Sequence, residues 1–522
     1  MKFFGKKALA GPAGSAMPKR RLKLPSGGLV AGTLLAMLAA IFMGMVTALG
    51  SLPLTLVVAG AMLGLPMLIL INTRQLLPVL FVVVFLIQGT AQFYLHLRAA
   101  TWMASGLAAM FLARAIIEVF DVKRLRAGVQ PGPGAGNVLL FASLYVMVYL
   151  LSMAMGSGTT AQRISSLRFS IPMFGVLLAL YWYHWDIKQL KRLWWLIIAI
   201  SMCQLPLTLY QHFFMMGTLG WDGVVGSFGG NLSPVLVLFV LAALMYSLAL
   251  WTRGMMPVWL LSGIFMIGIA VILLGEVKAV LFWLPVAVAY VLRRRILRNV
   301  LQLLMFACLS VVFLAGTYTA YKAMYWTVHT KDDTLAEKLD GIVGYAIDPD
   351  NINYRTGEIS RGASIALWYR DPVPGSIKKL IGYGPGSTII SANTGLGQVA
   401  ARYRGLGVGT TTVSNMLWDL GILGTVAFIT FLSVGVWCGW RYGKVVTDPE
   451  RAAIADTATA ILALMLSTVV YNRTLVDEPT AQLLCFFCLG CIVQLRRFDR
   501  TAAKVRAPRP IAPPGPFLVQ TS

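Results

Sequence analysis

Long apolar stretches recur along the chain and alternate with polar segments that are mostly short. A stretch of about 17 to 25 apolar residues is long enough to cross ~30 Å of hydrocarbon as an α-helix. About fourteen such stretches occur, which predicts a protein that crosses a membrane many times. The predicted spans are Leu29–Leu49, Leu52–Ile71, Leu76–Leu95, Trp102–Phe120, Val138–Met155, Ser170–Tyr183, Leu193–Tyr210, Val235–Trp251, Pro257–Leu274, Ala279–Leu292, Val300–Tyr318, Val413–Val436, Ile454–Tyr471 and Thr480–Leu495.

The composition agrees with this pattern. Of the 522 residues, 58% are hydrophobic and only 12% are charged. A soluble protein of this size could not bury so much apolar surface in its cores. The sequence therefore predicts an all-α fold, a polytopic membrane helical bundle.

The net charge of +24 would suggest nucleic-acid binding in a soluble chain. Here, most Lys and Arg residues of the short loops fall on the side that is predicted to be cytoplasmic, in keeping with the positive-inside rule. The basic charge therefore indicates orientation, and no nucleic-acid partner is expected. Two clusters are predicted to face anionic lipid: Lys123, Arg124 and Arg126, and Arg293, Arg294, Arg295 and Arg298.

The pattern divides the chain into five predicted segments. Residues 1–28 form a basic tail with no small-residue cleavage site after the first apolar run, so we expect a retained cytoplasmic tail. About eleven spans (29–318) precede a polar loop (319–412), and about three spans (413–495) follow it. Residues 496–522 are predicted to be a disordered cytoplasmic tail, because they are basic and rich in proline.

The loop 319–412 is the predicted location of function, because a single long polar loop on the outer face suggests chemistry or recognition there. Arginine suits bidentate binding of phosphate oxygens, and aromatic faces suit sugar rings. A solvated basic loop with a few packing aromatics is the alternative. The loop contains Tyr354, Arg355, Arg361, Trp368, Tyr369, Arg370, Lys378, Lys379, Tyr383, Arg402, Tyr403 and Arg404.

Two shorter features stand out near the end of this loop. The glycines of Gly382-Tyr-Gly-Pro-Gly386 allow a tight turn whose backbone N–H groups approach an anion or another chain segment. Asp419 follows, about two turns into an apolar helix, where a carboxylate is costly and is a functional candidate by default.

The order Arg361, Trp368, Gly382–Gly386 and Asp419-Leu-Gly421 resembles the O-antigen ligase and O-antigen polymerase superfamily. Members have about a dozen spans, a large periplasmic loop and a Gly-x-Gly-x-Gly turn before a helix that carries Glu-x-Gly. Gly275-Glu-Val-Lys278 stands where the family usually has a Ser-Arg pair. The family's histidine is missing between Gly409 and Ser414, and Asp419 replaces its glutamate, which favours a polymerase over a ligase.

The resemblance implies a glycosyltransferase of the bacterial inner membrane with a GT-C-like helical bundle. Fourteen crossings that begin on the cytoplasmic side would place both termini in the cytoplasm. Its donor would be a glycan on a polyprenyl diphosphate. Membrane lipid and other polysaccharide export or assembly proteins are the further partners expected, and no metal or other cofactor is needed.

Cations would stabilise the diphosphate as negative charge develops, and a carboxylate would take the proton of the acceptor hydroxyl. The candidate catalytic residues are Asp419, Arg361, Lys278 and Glu276, with Glu358 as a further candidate base. The candidate substrate-binding residues are Arg355, Trp368, Tyr383, Gly384, Gly386, Arg402, Arg404 and Arg473.

Each candidate also has a structural explanation. Glu276 and Lys278 could cap two helices at a tight hairpin, Asp419 could fix the turn, and Arg361 could pair with Glu358. Two other functions stay open: a flippase or transporter of a lipid-linked or anionic solute, and a non-catalytic scaffold of a polymer secretion complex. Of the six cysteines, the i, i+3, i+6 set Cys485, Cys488 and Cys491 is predicted to pack inside the last span rather than to bind metal.

Overall fold

The computed structural model describes residues 73–95, 100–119, 136–183, 185–215, 223–230, 232–322, 348–372, 376–391, 394–403 and 406–506, with a few isolated positions. The features below all lie in the compact unit of residues 68–522. Several predicted features lie almost wholly outside the described residues. They are the first two spans, the tail 1–28, the cluster Lys123–Arg126 and the end of the tail 496–522.

The part of the bundle before the loop consists of helices that follow the predicted spans. α1 is broken from α2 by a five-residue π-helical segment, Val83–Ile87, and α8 is followed by a second one, Gln211–Met215. The helices are α1 (Thr73–Val82), α2 (Gln88–Tyr94), α3 (Ala100–Val119), α4 (Gly136–Met155), α5 (Thr160–Ser170), α6 (Phe174–Trp182), α7 (Ile187–Met202), α8 (Gln204–Tyr210), α9 (Ser233–Trp251), α10 (Val258–Leu274), α11 (Val280–Ile296) and α12 (Val300–Tyr321).

The described part of the loop contains short helices and two antiparallel hairpins, and long helices follow it. The pairs are Ile352 with Ile359 in the first hairpin and Ile390 with Leu396 in the second. The elements are β1 (Ile352–Asn353), β2 (Glu358–Ile359), α13 (Arg361–Arg370), α14 (Ser376–Ile381), β3 (Ile390–Ser391), β4 (Gly395–Leu396), α15 (Gln398–Arg402), α16 (Thr412–Val445), α17 (Pro449–Thr468), α18 (Thr474–Asp477) and α19 (Pro479–Arg506).

The helical membrane bundle that the sequence predicts is confirmed in its main features. From the third span onward, every predicted span overlaps a helix of the structure. By length and apolar composition, 8 helices among the described residues could cross a membrane, or up to 9 if the bent pair α5 and α6 forms one span. The figure of about fourteen spans and the side on which each loop lies stay predictions.

One helix, α9, lies in the interior of the bundle. Nearly the whole length of α9 is buried, as expected for a helix that is hydrophobic all round. Aromatic rings join the elements around it: Trp194 of α7 stacks on Tyr246 of α9, with ring centroids 5.1 Å apart, and contacts Phe487 of α19 at 5.3 Å. Cys485, Cys488 and Cys491 are buried in α19.

The far end of the bundle, away from the loop, contains a buried ionic cluster. Asp456 of α17 accepts hydrogen bonds from Arg253, which follows α9, and from Arg293 of α11 at 2.7 Å. Arg294 donates to the carbonyl of Gly443 in α16. Arg293 and Arg294, which were predicted to face lipid, therefore connect α11 to α17 and α16.

One helix at the loop end was not predicted. Residues 160–170 are polar and were expected to precede a span, but they form α5, which begins with a capping box between Thr159 and Gln162. α5 and α6 meet at an angle of 44°. The loop end of the bundle thus contains a broken helix rather than a plain turn.

Candidate functional site

The described part of the loop packs against the start of α16 through a small hydrophobic core. Its buried members are Tyr383, Val399, Leu406, Val408 and Trp418. Trp368, a predicted substrate-binding residue, is half-buried and packs against this core. The described part of the loop is therefore a folded layer on the bundle, and not a solvated basic segment.

The glycine turn Gly382–Gly386, predicted to bind an anion, lies against the carboxylate of Asp419. Asp419 is buried, and its carboxylate accepts hydrogen bonds from the backbone N–H of Gly386 at 2.9 Å and from the Ser387 hydroxyl at 2.6 Å. The backbone N–H and the hydroxyl of Thr388 each lie at 3.3 Å from the same carboxylate. The carboxylate thus fixes the turn, which is one of the two roles expected from the sequence.

The backbone of the turn is also bonded to α16. The N–H of Tyr383 donates to the carbonyl of Trp418 at 2.8 Å, and the N–H of Gly384 donates to the carbonyl of Asp419 at 3.0 Å. The same Asp419 carbonyl accepts from the Ser152 hydroxyl of α4 at 2.7 Å. The N–H groups of Gly384 and Gly386, predicted to bind substrate, are therefore committed to the protein.

Glycine is required where the turn meets its neighbours. Gly384 has φ +101°, and a Cβ atom on it would lie 2.8 Å from the Cα atom of Gly156, just beyond α4. Gly421 has φ +67°, interrupts the helical dihedrals of α16, and would place a Cβ atom 2.5 Å from the backbone of Leu380. The turn occupies the space that this break in α16 opens.

Arg402 is held by a carboxylate that the sequence analysis did not single out. Its Nη1 atom donates to both oxygens of Asp371, at 2.9 and 3.0 Å, and to the hydroxyl of Tyr383 at 3.2 Å. Burial, followed by the charge of Asp371, raises the pKa of Tyr403 to about 12, and burial also raises the pKa of Tyr383. Arg402 and Tyr383 therefore form part of an internal ionic cluster of the loop.

Arg361 contacts the connection that follows α17. It is the first residue of α13, and its guanidinium lies 4.2 Å from the ring centroid of Tyr471, beyond α17. That ring contacts Trp283 of α11, with centroids 5.5 Å apart, and Trp283 donates to Ser467 at 3.0 Å. A continuous aromatic contact thus links Arg361 to the first turn of α11.

The predicted pair Glu276 and Lys278 lies immediately before that first turn. Glu276 adopts φ +51°, a left-handed conformation that is uncommon outside glycine. The side chain of Lys278 is exposed. Arg361 is thus linked through Tyr471 and Trp283 to the helix that begins two residues after Lys278.

The remaining candidates are dispersed. Arg355 is exposed in the turn between β1 and β2, and Glu358 accepts from Thr356 at 3.3 Å on the same hairpin. Arg473 forms an ion pair with Asp477 at 2.7 Å. Arg404 lies outside the described residues.

Several residues of the site escaped the sequence analysis. Asp371 and Ser152 carry no motif, and they take part only because distant segments fold together. Asn415 donates to the hydroxyl of Thr388 at 3.0 Å. Its position at the start of α16 is the only sequence feature that could have indicated this role. Among the described residues, no group of three or more His, Cys, Asp or Glu side chains could hold a metal ion.

Neither a scan against protein-family models nor a search of curated proteins finds a match for this chain. The class of protein that the fold defines is therefore a helical membrane bundle with a folded layer at one end.

Proposed function

We propose that this protein is a membrane glycosyltransferase that transfers a saccharide from a polyprenyl diphosphate to a hydroxyl acceptor. Polymerisation of lipid-linked repeats is the favoured form, and ligation to another acceptor is the alternative. The single observation that supports it is the placement of Arg361, whose guanidinium lies 4.2 Å from the ring of Tyr471, which in turn contacts Trp283 in the first turn of α11.

The chemistry follows from the charge that develops during transfer. When the bond between the saccharide and the diphosphate breaks, negative charge accumulates on the diphosphate oxygens. Cations that are already positioned stabilise this charge without reorganisation. Arg361 is suited to this task, because its guanidinium is planar, permanently charged and able to bind two phosphate oxygens at once.

The test is transfer in liposomes from a synthetic oligosaccharide on polyprenyl diphosphate, with product length measured by mass spectrometry. We expect Arg361→Ala to lower the rate by ~100-fold, because one transition-state donor is lost. Arg361→Lys should retain part of the activity, since it keeps the charge but loses the bidentate geometry.

Arg370→Ala is the matched control, because Arg370 lies at the other end of α13 in an exposed ion pair with Asp350. Such pairs contribute little to stability, so its rate should stay within about two-fold of the wild type. Absence of transfer by the wild-type protein contradicts the proposed function. Equal rates for the two alanine variants contradict the role of Arg361.

The bent pair α5 and α6 supports transport as a second candidate function. Transporters bind solutes where membrane helices are discontinuous, and these two helices meet at 44°. Movement of a labelled lipid-linked oligosaccharide across the liposome membrane, without change in its length, would favour this second function.

A further inference from the structure

A transferase of this kind needs a carboxylate that is not already committed to holding the fold. Among the carboxylates that the structure describes at the loop end, Asp419 holds the turn and Asp371 holds Arg402. Glu276 also has an interaction partner. The remaining carboxylates accept hydrogen bonds or form ion pairs: Asp348 with the N–H of Asp350, Asp350 with Arg370, Glu358 with Thr356, and Asp477 with Arg473.

Glu478 differs from all of these. Within the part of the chain that the structure describes, its carboxylate forms no hydrogen bond or ion pair, while its backbone joins α18 to α19. Gln482, one turn further along, is 2% exposed, and its Oε1 atom has no hydrogen-bond partner among the described residues. Buried polar atoms without partners are rare in proteins, and such a group indicates that water or a polar ligand belongs there.

The charged groups around Glu478 come from two elements. Asp477 and Arg473 lie on its own segment, and Arg168 of α5 faces it from the broken helix. The guanidinium of Arg168 stacks on Trp102 at 3.8 Å, and its Nε atom is buried without a hydrogen-bond partner among the described residues. Desolvation, then the negative charge of Asp477, raises the pKa of the Glu478 carboxyl.

Residues 469–478, which connect α17 to α19, also contact Arg361, the predicted cation. Tyr471 of this connection contacts Arg361, and the carbonyl of Asn472 accepts from the N–H of Thr412 at the start of α16, at 2.8 Å. On its other side, Ser170 at the end of α5 donates to the carbonyl of Val476 at 3.5 Å. Residues 469–478 thus run between the arginine and the broken helix.

We propose that Glu478 is the general base that removes the proton of the acceptor hydroxyl, an inference that rests on the proposed glycosyltransferase function. The acceptor oxygen forms a bond to C1 of the donor saccharide while the bond from C1 to the diphosphate oxygen breaks. The electron pair stays on the diphosphate, and the hydroxyl proton moves to Glu478 and then to water. The products are the extended glycan, the prenyl diphosphate and one proton.

The experiment compares wild type, Glu478→Gln and Glu478→Asp in the liposome transfer assay from about pH 5.5 to about pH 9. The wild-type kcat should rise with pH as the base loses its proton. Glu478→Gln should lower kcat by ~100-fold, remove this rise and leave KM for the lipid-linked donor nearly unchanged. Glu478→Asp should keep part of the rate and the rise.

Asp350→Asn, an exposed carboxylate of the same end, is the control and should keep the wild-type pH profile. A wild type that transfers sugar while Glu478→Gln matches its rate overturns the base and leaves the proposed function intact. A wild type that transfers nothing overturns both.

Thermal unfolding separates catalysis from folding. Because burial raises the folded-state pKa of Glu478, the folded protein loses stability as pH rises through that pKa, and glutamine does not ionise. Glu478→Gln should therefore unfold at a midpoint at least as high as the wild type at alkaline pH. A lower midpoint would indicate a structural role and overturn the proposal.

Discussion

At the scale of single residues, two carboxylates of the loop end have opposite surroundings. Asp419 accepts from the donors of Gly386, Ser387 and Thr388. Glu478 forms no comparable bond within the described part of the chain. A carboxylate that is saturated with donors holds structure, whereas one that is desolvated without donors is suited to proton transfer.

Replacement of Asp419 should destabilise the loop layer. Asp419→Ala leaves the N–H groups of Gly386 and Thr388 buried without acceptors, which costs about 3 kcal/mol or more. Asp419→Asn should also lower stability, because the amide nitrogen that replaces one carboxylate oxygen cannot accept a hydrogen bond.

The measurement is thermal unfolding of the purified protein, together with the rate of proteolysis within residues 348–411. Asp350→Asn should change neither, since its ion pair is exposed. A fully stable Asp419→Asn variant that is inactive would instead point to Asp419 as the catalytic base.

The sequence could single out Asp419 but not its role. Its position inside an apolar run marks it as unusual for any membrane helix. The groups that bind it come from 31 to 33 residues earlier in the chain, so the contact depends on the folded path of the loop. For the same reason, the Asp371 partner of Arg402 could not be predicted.

At the scale of elements, α16 consists of two parts that meet at Gly421. The part before it is bonded to the loop through Trp418 and Asp419, and the part after it packs within the bundle. The positive φ of Gly421 allows the change of direction, and the missing side chain makes room for Leu380 and Gly382.

Gly421→Ala should therefore lower stability by about 1–3 kcal/mol, because φ +67° with ψ −167° is a backbone conformation that is essentially restricted to glycine. Contact with Leu380 adds to this loss. Gly263→Ala in α10 is the matched control, because a Cβ atom there meets nothing within 4 Å and helical alanine is favoured over glycine. Thermal midpoints of the two variants are the measurement, and equal midpoints would contradict the role given to Gly421.

The elements were predictable to different degrees. Long apolar runs predicted the helices from the third span onward, because a membrane helix must satisfy its backbone internally and expose apolar side chains. The sequence does not predict α5, because its residues are polar, or the short elements of the loop, because they are brief and pack around Trp418 and its neighbours.

At the scale of the whole molecule, the two ends of the bundle are held together in different ways. The loop end relies on a turn that closes around Asp419, and the far end relies on Asp456 between Arg253 and Arg293. The exposed fractions of the two arginine side chains are only 15% and 18%. Removal of one partner from such a buried cluster leaves charge uncompensated.

Asp456→Ala should lower the free energy of unfolding by about 3–5 kcal/mol for this reason. Glu450→Gln, on the same helix, breaks a pair with Lys191 that is about one-third exposed, and should cost less than about 1 kcal/mol. Thermal midpoints in one detergent provide the comparison, and a tolerant Asp456→Ala variant would show that the arginines are hydrated.

The loop layer and residues 412–420 form one structural unit that ends at the break at Gly421. Residues 412–420 are helical, yet their hydrogen bonds tie them to the turn before them. A chimera that exchanges the extramembrane segment at Thr412 would separate the turn from the carboxylate that it surrounds. A junction placed after Gly421 keeps both in the same graft.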